Sequence, residues 1–162
     1  MPNYPRDVIA DLIEGKLPWQ ITKRIMSDFK DADRFETYIG ILQDRVTWDE
    51  PILLPIGEHL YIVRKDGERV VKCDCGHDFG DYRRNWKMSA LVFVRDTEEL
   101  LEEMYPGPTK PDPNLQEIRE FICPGCTTLL EVEAVAPGYP VTFDFLPDLE
   151  GFYTEILGKP LP

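Results

Sequence analysis

Four cysteines are the residues of this sequence whose type and spacing indicate chemistry. They form two close pairs, Cys73 with Cys75 and Cys123 with Cys126, and the sequence contains no other cysteine. Zinc prefers four soft or borderline ligands in a tetrahedron, and two close pairs on tight turns supply them readily. Pro-Gly inside the second pair is a strong signal for such a turn, and Gly76 gives the tighter first pair the backbone freedom it needs. We therefore predict one zinc ion bound by all four thiolates.

A closed site of four thiolates leaves the metal no open coordination position, which predicts a structural role and no catalysis. Two other interpretations of the cysteines are possible. Two disulfides would need an oxidising compartment, which nothing in the sequence indicates. A redox dithiol at the second pair would be followed by a helix, whereas the residues after Cys126 are typical of a strand. His77 could replace one cysteine, but we expect it to contact a ligand or to face solvent.

The composition indicates one folded unit and argues against nucleic acid as a partner. The chain has 162 residues, of which 43% are hydrophobic and 30% charged, a globular balance. Its net charge of -12 would repel a phosphate backbone and suits a partner with a basic surface. One small basic cluster, Arg83, Arg84 and Lys87 beside Trp86, could oppose this trend, but we expect it to be solvated or salt-bridged surface.

Membrane and export signals are not visible in the sequence. No run approaches the roughly 18 apolar residues that a membrane span needs. The first 13 residues lack a basic segment followed by an apolar one. We expect a cytoplasmic protein with no membrane contact.

The elements that must position the cysteines follow from the hydrophobic pattern. Apolar residues recur at helical spacing in three segments before Trp48, with Gly15 closing the first helix and Asp31 or Asp33 starting the third. From Ile52 the pattern alternates, and Asp66-Gly67 predicts a hairpin turn that leads to the first cysteine pair.

Further strands are predicted at 88–94, 118–122 and 129–135, and the last two flank the second cysteine pair. A brief helix is predicted at 96–104, with Asp96 and Glu99 as its capping box. The fold class is therefore α+β: N-terminal helices at 1–50, a zinc-ribbon-like antiparallel β region with two cysteine knuckles at 51–142, and an extended C-terminal arm at 143–162. We expect these three regions to form one folded unit.

Motifs of catalysis are missing from the sequence. We find no phosphate-binding glycine loop, no nucleophile elbow, no His-Glu-x-x-His and no dinucleotide fingerprint. Asp74, Asp78 and Asp81 surround the first cysteine pair and could bind a hard cation, but their spacing is typical of solvated charge. The residues alone thus predict a zinc-stabilised module without catalytic or cofactor-binding residues.

The chain nevertheless resembles the gamma subunit family of acetone carboxylases from end to end. The resemblance rests on a series of short strings: Arg34-Phe35 with Tyr38, Ile41-Leu42-Gln43, Trp48-Asp49, Ile52-Leu53-Leu54-Pro55, Cys75-Gly76-His77-Asp78-Phe79, Asn85-Trp86-Lys87, Val94-Arg95-Asp96-Thr97, Ile118-Arg119-Glu120, Cys123-Pro124-x-Cys126 and Asp148-Leu149-Glu150-Gly151-Phe152-Tyr153.

This resemblance implies a small zinc-binding subunit of an ATP-dependent ligase that joins acetone and bicarbonate into acetoacetate. It implies two larger partner subunits, of alpha and beta type, that carry the ATP site and a manganese-type metal. Related carboxylases act on acetophenone, and no residue of this chain chooses between the ketones. A free-standing zinc-ribbon adaptor is the alternative from another class of function, and a nucleic-acid-binding ribbon would need a basic face.

Overall fold

Three helices come first in the computed structural model, which describes residues 4–28 and 33–162. They are α1 (Arg6–Ile13), α2 (Trp19–Ser27) and α3 (Arg34–Gln43), and α1 packs against α3. Gly15 follows α1 with a φ of 67°, the left-handed conformation predicted for the end of that helix. Asp33 directly precedes α3, whereas Asp31 lies outside the described residues.

A four-stranded antiparallel sheet, sheet A, follows the helices. Its strands are β1 (Ile52–Pro55), β2 (Leu60–Lys65), β3 (Glu68–Cys73) and β4 (Asp78–Asp81), in that order across the sheet. Asp66 and Gly67 both have positive φ, 51° and 85°, as a two-residue hairpin turn requires. The register pairs Lys65 with Glu68 and Leu60 with Cys73, so the hairpin brings Cys73 to the end of the sheet.

The two faces of sheet A line two separate parts of the core. Alternate residues of a strand point to opposite faces. Leu60 and Ile62 belong to a large cluster that includes Cys73 and Cys123, whereas Tyr61 and Val63 pack with Leu42 and Ile52. The second of these clusters attaches α3 to the sheet, and the first contains the cysteines.

A three-stranded antiparallel sheet, sheet B, forms the second β unit. It has the order β5 (Leu91–Arg95), β6 (Glu117–Ile122) and β7 (Leu129–Val135), and α4 (Glu98–Met104) lies between the first two strands in sequence. β6 and β7 agree closely with the predicted strands and flank the second cysteine pair. Helices and antiparallel sheets together confirm the α+β class.

Two predicted elements near sheet B differ from the structure. The strand predicted at 88–94 begins only at Leu91, because Trp86–Ser89 forms a 3₁₀ turn that the Asn85 side chain caps by accepting a hydrogen bond from the Lys87 amide. The residue that caps α4 is Thr97 and not Asp96. Its hydroxyl oxygen accepts a hydrogen bond from the Leu100 amide at 3.3 Å.

The C-terminal segment is packed onto the core at its helical part and irregular before it. Residues 136–148 form no helix or strand; an α-helical turn (Leu149–Gly151) then continues as a π-helical turn (Phe152–Ile156). Leu149 and Tyr153 are buried, and the Tyr153 hydroxyl donates a hydrogen bond to the Leu53 carbonyl at 2.8 Å. The division at 1–50, 51–142 and 143–162 stays a prediction.

Across the residues that the structure describes, none of the helices has the length and apolar character that crossing a membrane would require.

Candidate metal centre

The four cysteines occupy two turns that project from different sheets. Cys73 is the last residue of β3, and Cys75 lies in the turn that leads to β4. Cys123 directly follows β6, and Cys126 lies in the turn that leads to β7. Each sheet therefore contributes one buried cysteine, Cys73 or Cys123, and one exposed cysteine, Cys75 or Cys126.

The four sulfurs converge on one point. The Sγ atoms of Cys73 and Cys126 are 3.8 Å apart, and those of Cys75 and Cys123 are 3.7 Å apart. All four sulfurs lie within 4.8 Å of one another, and all four cysteines are free thiols. The structure thus brings together the whole set of predicted ligands, and four such sulfurs could hold a metal ion.

The donor set and its spacing fit a tetrahedral zinc ion. Zinc–sulfur bonds are about 2.3 Å long, so two sulfurs of a regular ZnS₄ tetrahedron are about 3.8 Å apart. The cross-pair distances of 3.7 and 3.8 Å agree with that edge. Each close contact joins a cysteine of one sheet to a cysteine of the other, so an ion at this point would link the two sheets.

The environments of the thiols differ, and this affects how readily each becomes a thiolate. Burial raises the pKa of the Cys73 thiol above the ordinary value. Cys75 is exposed as a residue, but desolvation of its sulfur and hydrogen bonds with Cys126 and Cys123 also raise the pKa of its thiol. Hydrogen bonds from the side chain and the backbone of Thr128 lower the pKa of the Cys126 thiol to about 6. Cys126 therefore becomes a thiolate, the form that binds metal, more readily near neutral pH than Cys73 or Cys75 does.

Local hydrogen bonds form the first turn. The Gly76 amide donates to the Cys73 carbonyl at 2.8 Å, and the Cys73 amide donates to the His77 carbonyl at 2.9 Å. Gly76 has a φ of 93°, and a Cβ at this position would lie 3.3 Å from Cδ1 of Trp48. Both the backbone conformation and the close approach of Trp48 therefore require glycine.

Trp48 fixes the first turn to the segment before sheet A. Its indole Nε1 donates a hydrogen bond to the Asp74 carbonyl at 2.9 Å. The ammonium group of the buried Lys72 lies 4.6 Å from the centroid of the Trp48 ring and donates to Glu50 at 2.6 Å. A cation over an aromatic ring is attracted by its π electrons, so Lys72 and the hydrogen bond both orient the indole.

The second turn is equally constrained. The Cys123 amide donates to the Thr128 carbonyl and the Thr127 amide to the Cys123 carbonyl, both at 2.9 Å. Thr127 has a φ of 60°, a conformation uncommon for a residue other than glycine. A Cβ on Gly125 would lie 2.9 Å from Cβ of His77 and 3.2 Å from Sγ of Cys75. The two turns can therefore approach each other only because residue 125 has no side chain.

The two histidines lie near the cysteines but outside the sulfur cluster. The His77 ring packs edge-on against Phe79, with 4.9 Å between the centroids, and contributes no atom to the group of converging ligands. His59 precedes β2, and its Nδ1 lies 2.6 Å from a carboxylate oxygen of Asp74. His59 thus pairs with the residue between the first two cysteines, a contact that sequence spacing did not suggest.

The predicted surface charges have specific partners. Asp78 forms an ion pair with Lys65 at 2.7 Å, and Asp81 forms one with Arg83 at 2.6 Å. The Lys65 pair and a hydrogen bond from the Gly80 amide lower the pKa of the Asp78 carboxyl although its burial acts in the opposite direction. Arg83 hydrogen bonds lower the pKa of the Asp81 carboxyl to about 2.

Lys87 forms salt bridges, as the prediction of solvated or salt-bridged surface allowed, but it is buried and does not lie at the surface. Its side chain is only 3% exposed, and its ammonium group contacts the carboxylates of Glu131, Glu133 and Asp144, the first two at 2.6 and 2.5 Å. Burial alone would lower the pKa of Lys87, but the hydrogen bonds to the three carboxylates raise it above the ordinary value. Carboxylate oxygens of the same three acids lie within 4.8 Å of one another, and the Lys87 ammonium group is the cation that all three of them contact.

Comparison with known proteins agrees with the resemblance seen in the sequence. Residues 46–157 match the family described as acetone carboxylase gamma subunit. The chain is 50% identical over 161 residues to the acetone carboxylase gamma subunit of Xanthobacter autotrophicus. The alignment covers 98% of this chain and 96% of that protein. It is also 37% identical over 79 residues to the acetophenone carboxylase beta subunit of Aromatoleum aromaticum. This second alignment covers 48% of this chain and 61% of that protein. The chain therefore belongs to the acetone carboxylase gamma subunit family.

Proposed function

We propose that this chain is the small, zinc-binding structural subunit of an ATP-dependent ketone carboxylase. The observation that supports the metal is the convergence of four sulfurs, two from each sheet, within 4.8 Å. The observation that supports the enzyme is the 50% identity over nearly the whole chain to an acetone carboxylase gamma subunit.

The metal proposed for this site is zinc, bound by Cys73, Cys75, Cys123 and Cys126. Four thiolates favour a soft or borderline cation, and a tetrahedral arrangement is typical of zinc. When bound, the ion supplies a crosslink and no reactive position, because the four sulfurs complete its coordination. Cys73 and Cys123 contribute their sulfurs from inside the core, and Cys75 and Cys126 close the outer side of the site.

In this proposal, the larger partner subunits carry out the catalysis. Sequence motifs for binding a nucleotide are missing from this chain, and we propose that two larger subunits, of alpha and beta type, carry the ATP site and a manganese-type metal. The reaction of the assembled cytoplasmic enzyme is then the ligation of bicarbonate to a ketone. In this assembly the present chain contributes structure and a binding surface.

Acetone is the ketone that we propose as the substrate, giving acetoacetate as the product. The second candidate substrate is acetophenone or a similar ketone, in which case this chain would be the equivalent subunit of an acetophenone-type carboxylase. The 37% identity to an acetophenone carboxylase subunit favours this candidate. That match covers only 48% of this chain, so the acetone assignment has the broader support.

Purification of the protein from its own host, followed by native mass and metal analysis, tests the proposal. We expect a large complex with two further kinds of chain, about one zinc ion per copy of this chain, and a different metal on the partners. Assays of the complex with acetone and with acetophenone then decide between the two ketones. A lone 18.8 kDa species that contains zinc would overturn the subunit assignment and favour the free-standing adaptor.

The Cys123→Ser variant tests whether the metal is needed for assembly. We expect this variant to lose zinc and the assembled enzyme with it, because the two turns would no longer be joined. His77→Ala is the matched control, since the His77 ring lies next to the site without contributing a ligand atom. A Cys123→Ser complex that assembled and turned over normally would contradict the structural role.

A further inference from the structure

An irregular segment at 139–146, which we call the strap, contacts the 3₁₀ turn at Trp86–Ser89, the residue before it and strand β6. It forms no helix or strand, yet three side chains fix it to the rest of the molecule. Arg119 donates a hydrogen bond to the Tyr139 carbonyl at 2.5 Å, and Asn85 donates one to the Thr142 carbonyl at 2.9 Å. Lys87 pairs with the carboxylate of Asp144. The strap is therefore an extended chain with a defined path.

The strap exposes several large apolar side chains, although the cations that bind it are buried. Lys87 and Arg119, the two cations that bind it, are buried beneath it. Four large apolar side chains face solvent instead, and their exposed fractions are 51% for Tyr139, 37% for Phe143, 53% for Phe145 and 57% for Leu146.

This exposure is large for so short a segment. Aromatic side chains of this size have on the order of 200 Å² of surface each, so the four together expose on the order of 400 Å². The largest apolar patch on a soluble monomer is typically of about this size and is often functional. Because the strap is already fixed, a partner would not need to order it, and less conformational entropy would be lost on binding.

The charge around the strap indicates the chemistry of the partner. Among the groups that contact Lys87, Asp144 is 49% and Glu131 35% exposed, whereas Lys87 itself is 3% exposed. The surface beside the four apolar side chains is thus acidic, as is the chain as a whole with its net charge of -12. A second copy of this chain would place acidic surface against acidic surface, which opposes self-association.

We propose that the strap docks into an apolar groove with a basic rim on one of the larger carboxylase subunits. Phe145 and Leu146 are the central anchors, because they are the most exposed of the four apolar side chains. Asp144 and Glu131 pair with lysine or arginine at the rim of that groove. This inference rests on the proposed function, since it requires the larger subunits as the partner.

Reconstitution of the complex from the separately purified larger subunits and this chain tests the proposal. The double variant Phe145→Ser, Leu146→Ser is expected to bind the larger subunits about tenfold or more weakly than the wild type, as removal of buried anchors usually does. The control is the double variant Leu115→Ser, Ile156→Ser, in which the replaced side chains are 73% and 74% exposed but lie outside the strap. It is expected to bind as the wild type does.

Hydrogen exchange on the wild-type chain provides a measurement that does not depend on any variant. The amides of 139–146 are expected to exchange more slowly in the complex than in the free chain. Metal content and thermal unfolding of each variant show whether it is folded. If the strap variant does not fold, hydrogen exchange on the wild type alone decides whether the strap is the docking site.

The outcomes separate this inference from the proposed function. If the wild type joins the larger subunits, and the strap variant binds equally well or the strap amides remain unprotected, the docking site lies elsewhere while the subunit assignment stands. Equal weakening of both double variants would also overturn the strap as a specific site. If the wild type does not join the larger subunits at all, both proposals fail. Protection of the strap in a dimer of this chain alone would replace the proposed partner with a second copy.

Discussion

The sulfur of Cys73 lies 3.8 Å from the sulfur of Cys126, although 53 residues separate the two cysteines in sequence. Cys73 ends a strand of sheet A, and Cys126 precedes a strand of sheet B, two sheets that share no strand pairing among the described residues. An ion bound between them closes a long loop of the chain. Closing a long loop restricts the unfolded chain strongly, so such a crosslink favours the folded state.

Removal of the proposed zinc ion is expected to destabilise the chain severely. Structural zinc sites contribute on the order of 10 kcal/mol, which is comparable to the whole net stability of an ordinary domain. Thermal unfolding with and without a strong chelator measures the effect. We expect a large fall in the midpoint that re-addition of zinc reverses. An unchanged midpoint after the metal has been removed completely would show that the core is stable without it.

The contact between the two cysteine turns predicts that Gly125→Ala weakens the site. The new Cβ would meet Cβ of His77 at 2.9 Å and Sγ of Cys75 at 3.2 Å, so one turn must shift. Overpacking of this kind typically costs about 1–3 kcal/mol, and here the shift also displaces a proposed ligand. Zinc competition with a chromogenic chelator is expected to show a lower affinity.

Gly57→Ala is the matched control for Gly125→Ala. A Cβ on Gly57 would lie 3.7 Å from Cβ of Leu60, an ordinary contact, and Gly57 does not require a positive φ. The control is expected to leave the zinc affinity unchanged. If the two alanine variants had the same zinc affinity, the close approach of the turns would not matter for metal binding.

The sequence was sufficient to predict the parts of the fold that local patterns determine. The turn at Asp66-Gly67, the left-handed Gly15 and the strands beside Cys123 and Cys126 all depend on residue type within a few positions. The convergence of the two cysteine pairs followed from the ligand number of zinc and not from any local pattern. This chemical constraint is why a contact across 53 residues could be predicted.

The interactions that sequence reasoning missed depend on distant residues. Lys87 was assigned to a solvated or salt-bridged surface because Arg83 and Arg84 are near it in sequence, whereas its partners Glu133 and Asp144 are 46 and 57 residues away. Trp48 marked the end of the helical region in the sequence, but it also binds the turn at Asp74, 26 residues away. No pattern of residue spacing in a sequence predicts either contact, so both are visible only in the folded structure.

The burial of Lys87 predicts that Lys87→Met is strongly destabilising. The change leaves the half-buried Glu133 next to Glu131 and Asp144 with no cation among them. Removing one partner of a buried ion pair typically costs about 3–5 kcal/mol. Because Glu131 and Asp144 are partly hydrated, we expect a loss at the lower end of this range. Chemical denaturation at neutral pH with zinc present measures the loss. We also expect faster proteolysis at the strap, since Asp144 loses its ion pair with Lys87.

Lys159→Met is the control for the loss of a lysine charge. Lys159 pairs with Glu36, and both side chains are about half exposed, at 48% and 59%. Exposed ion pairs contribute little because water and salt screen them, so this variant is expected to unfold almost as the wild type does. Equal destabilisation of the two variants would mean that the buried network around Lys87 has no special importance.

The raised pKa of Lys87 predicts how the stabilising effect of this lysine changes with pH. The hydrogen bonds to Asp144, Glu131 and Glu133 raise the pKa in the folded chain, despite the opposing effect of burial, while the unfolded chain has an ordinary value of about 10.4. The contribution is therefore complete below about pH 10.4 and is lost as the pH rises through the higher folded value, where the unfolded state binds fewer protons.

The difference in unfolding free energy between the wild type and Lys87→Met isolates this effect from the other groups that titrate in alkali. We expect the difference to stay constant from about pH 8 to 10 and then to fall by up to about 1.4 kcal/mol per pH unit. Zinc-bound thiolates do not titrate in this range, because the metal has already displaced their protons. A difference that began to fall well below pH 10 would show that the three carboxylates do not stabilise the ammonium form, and the strap would then depend on its other two hydrogen bonds.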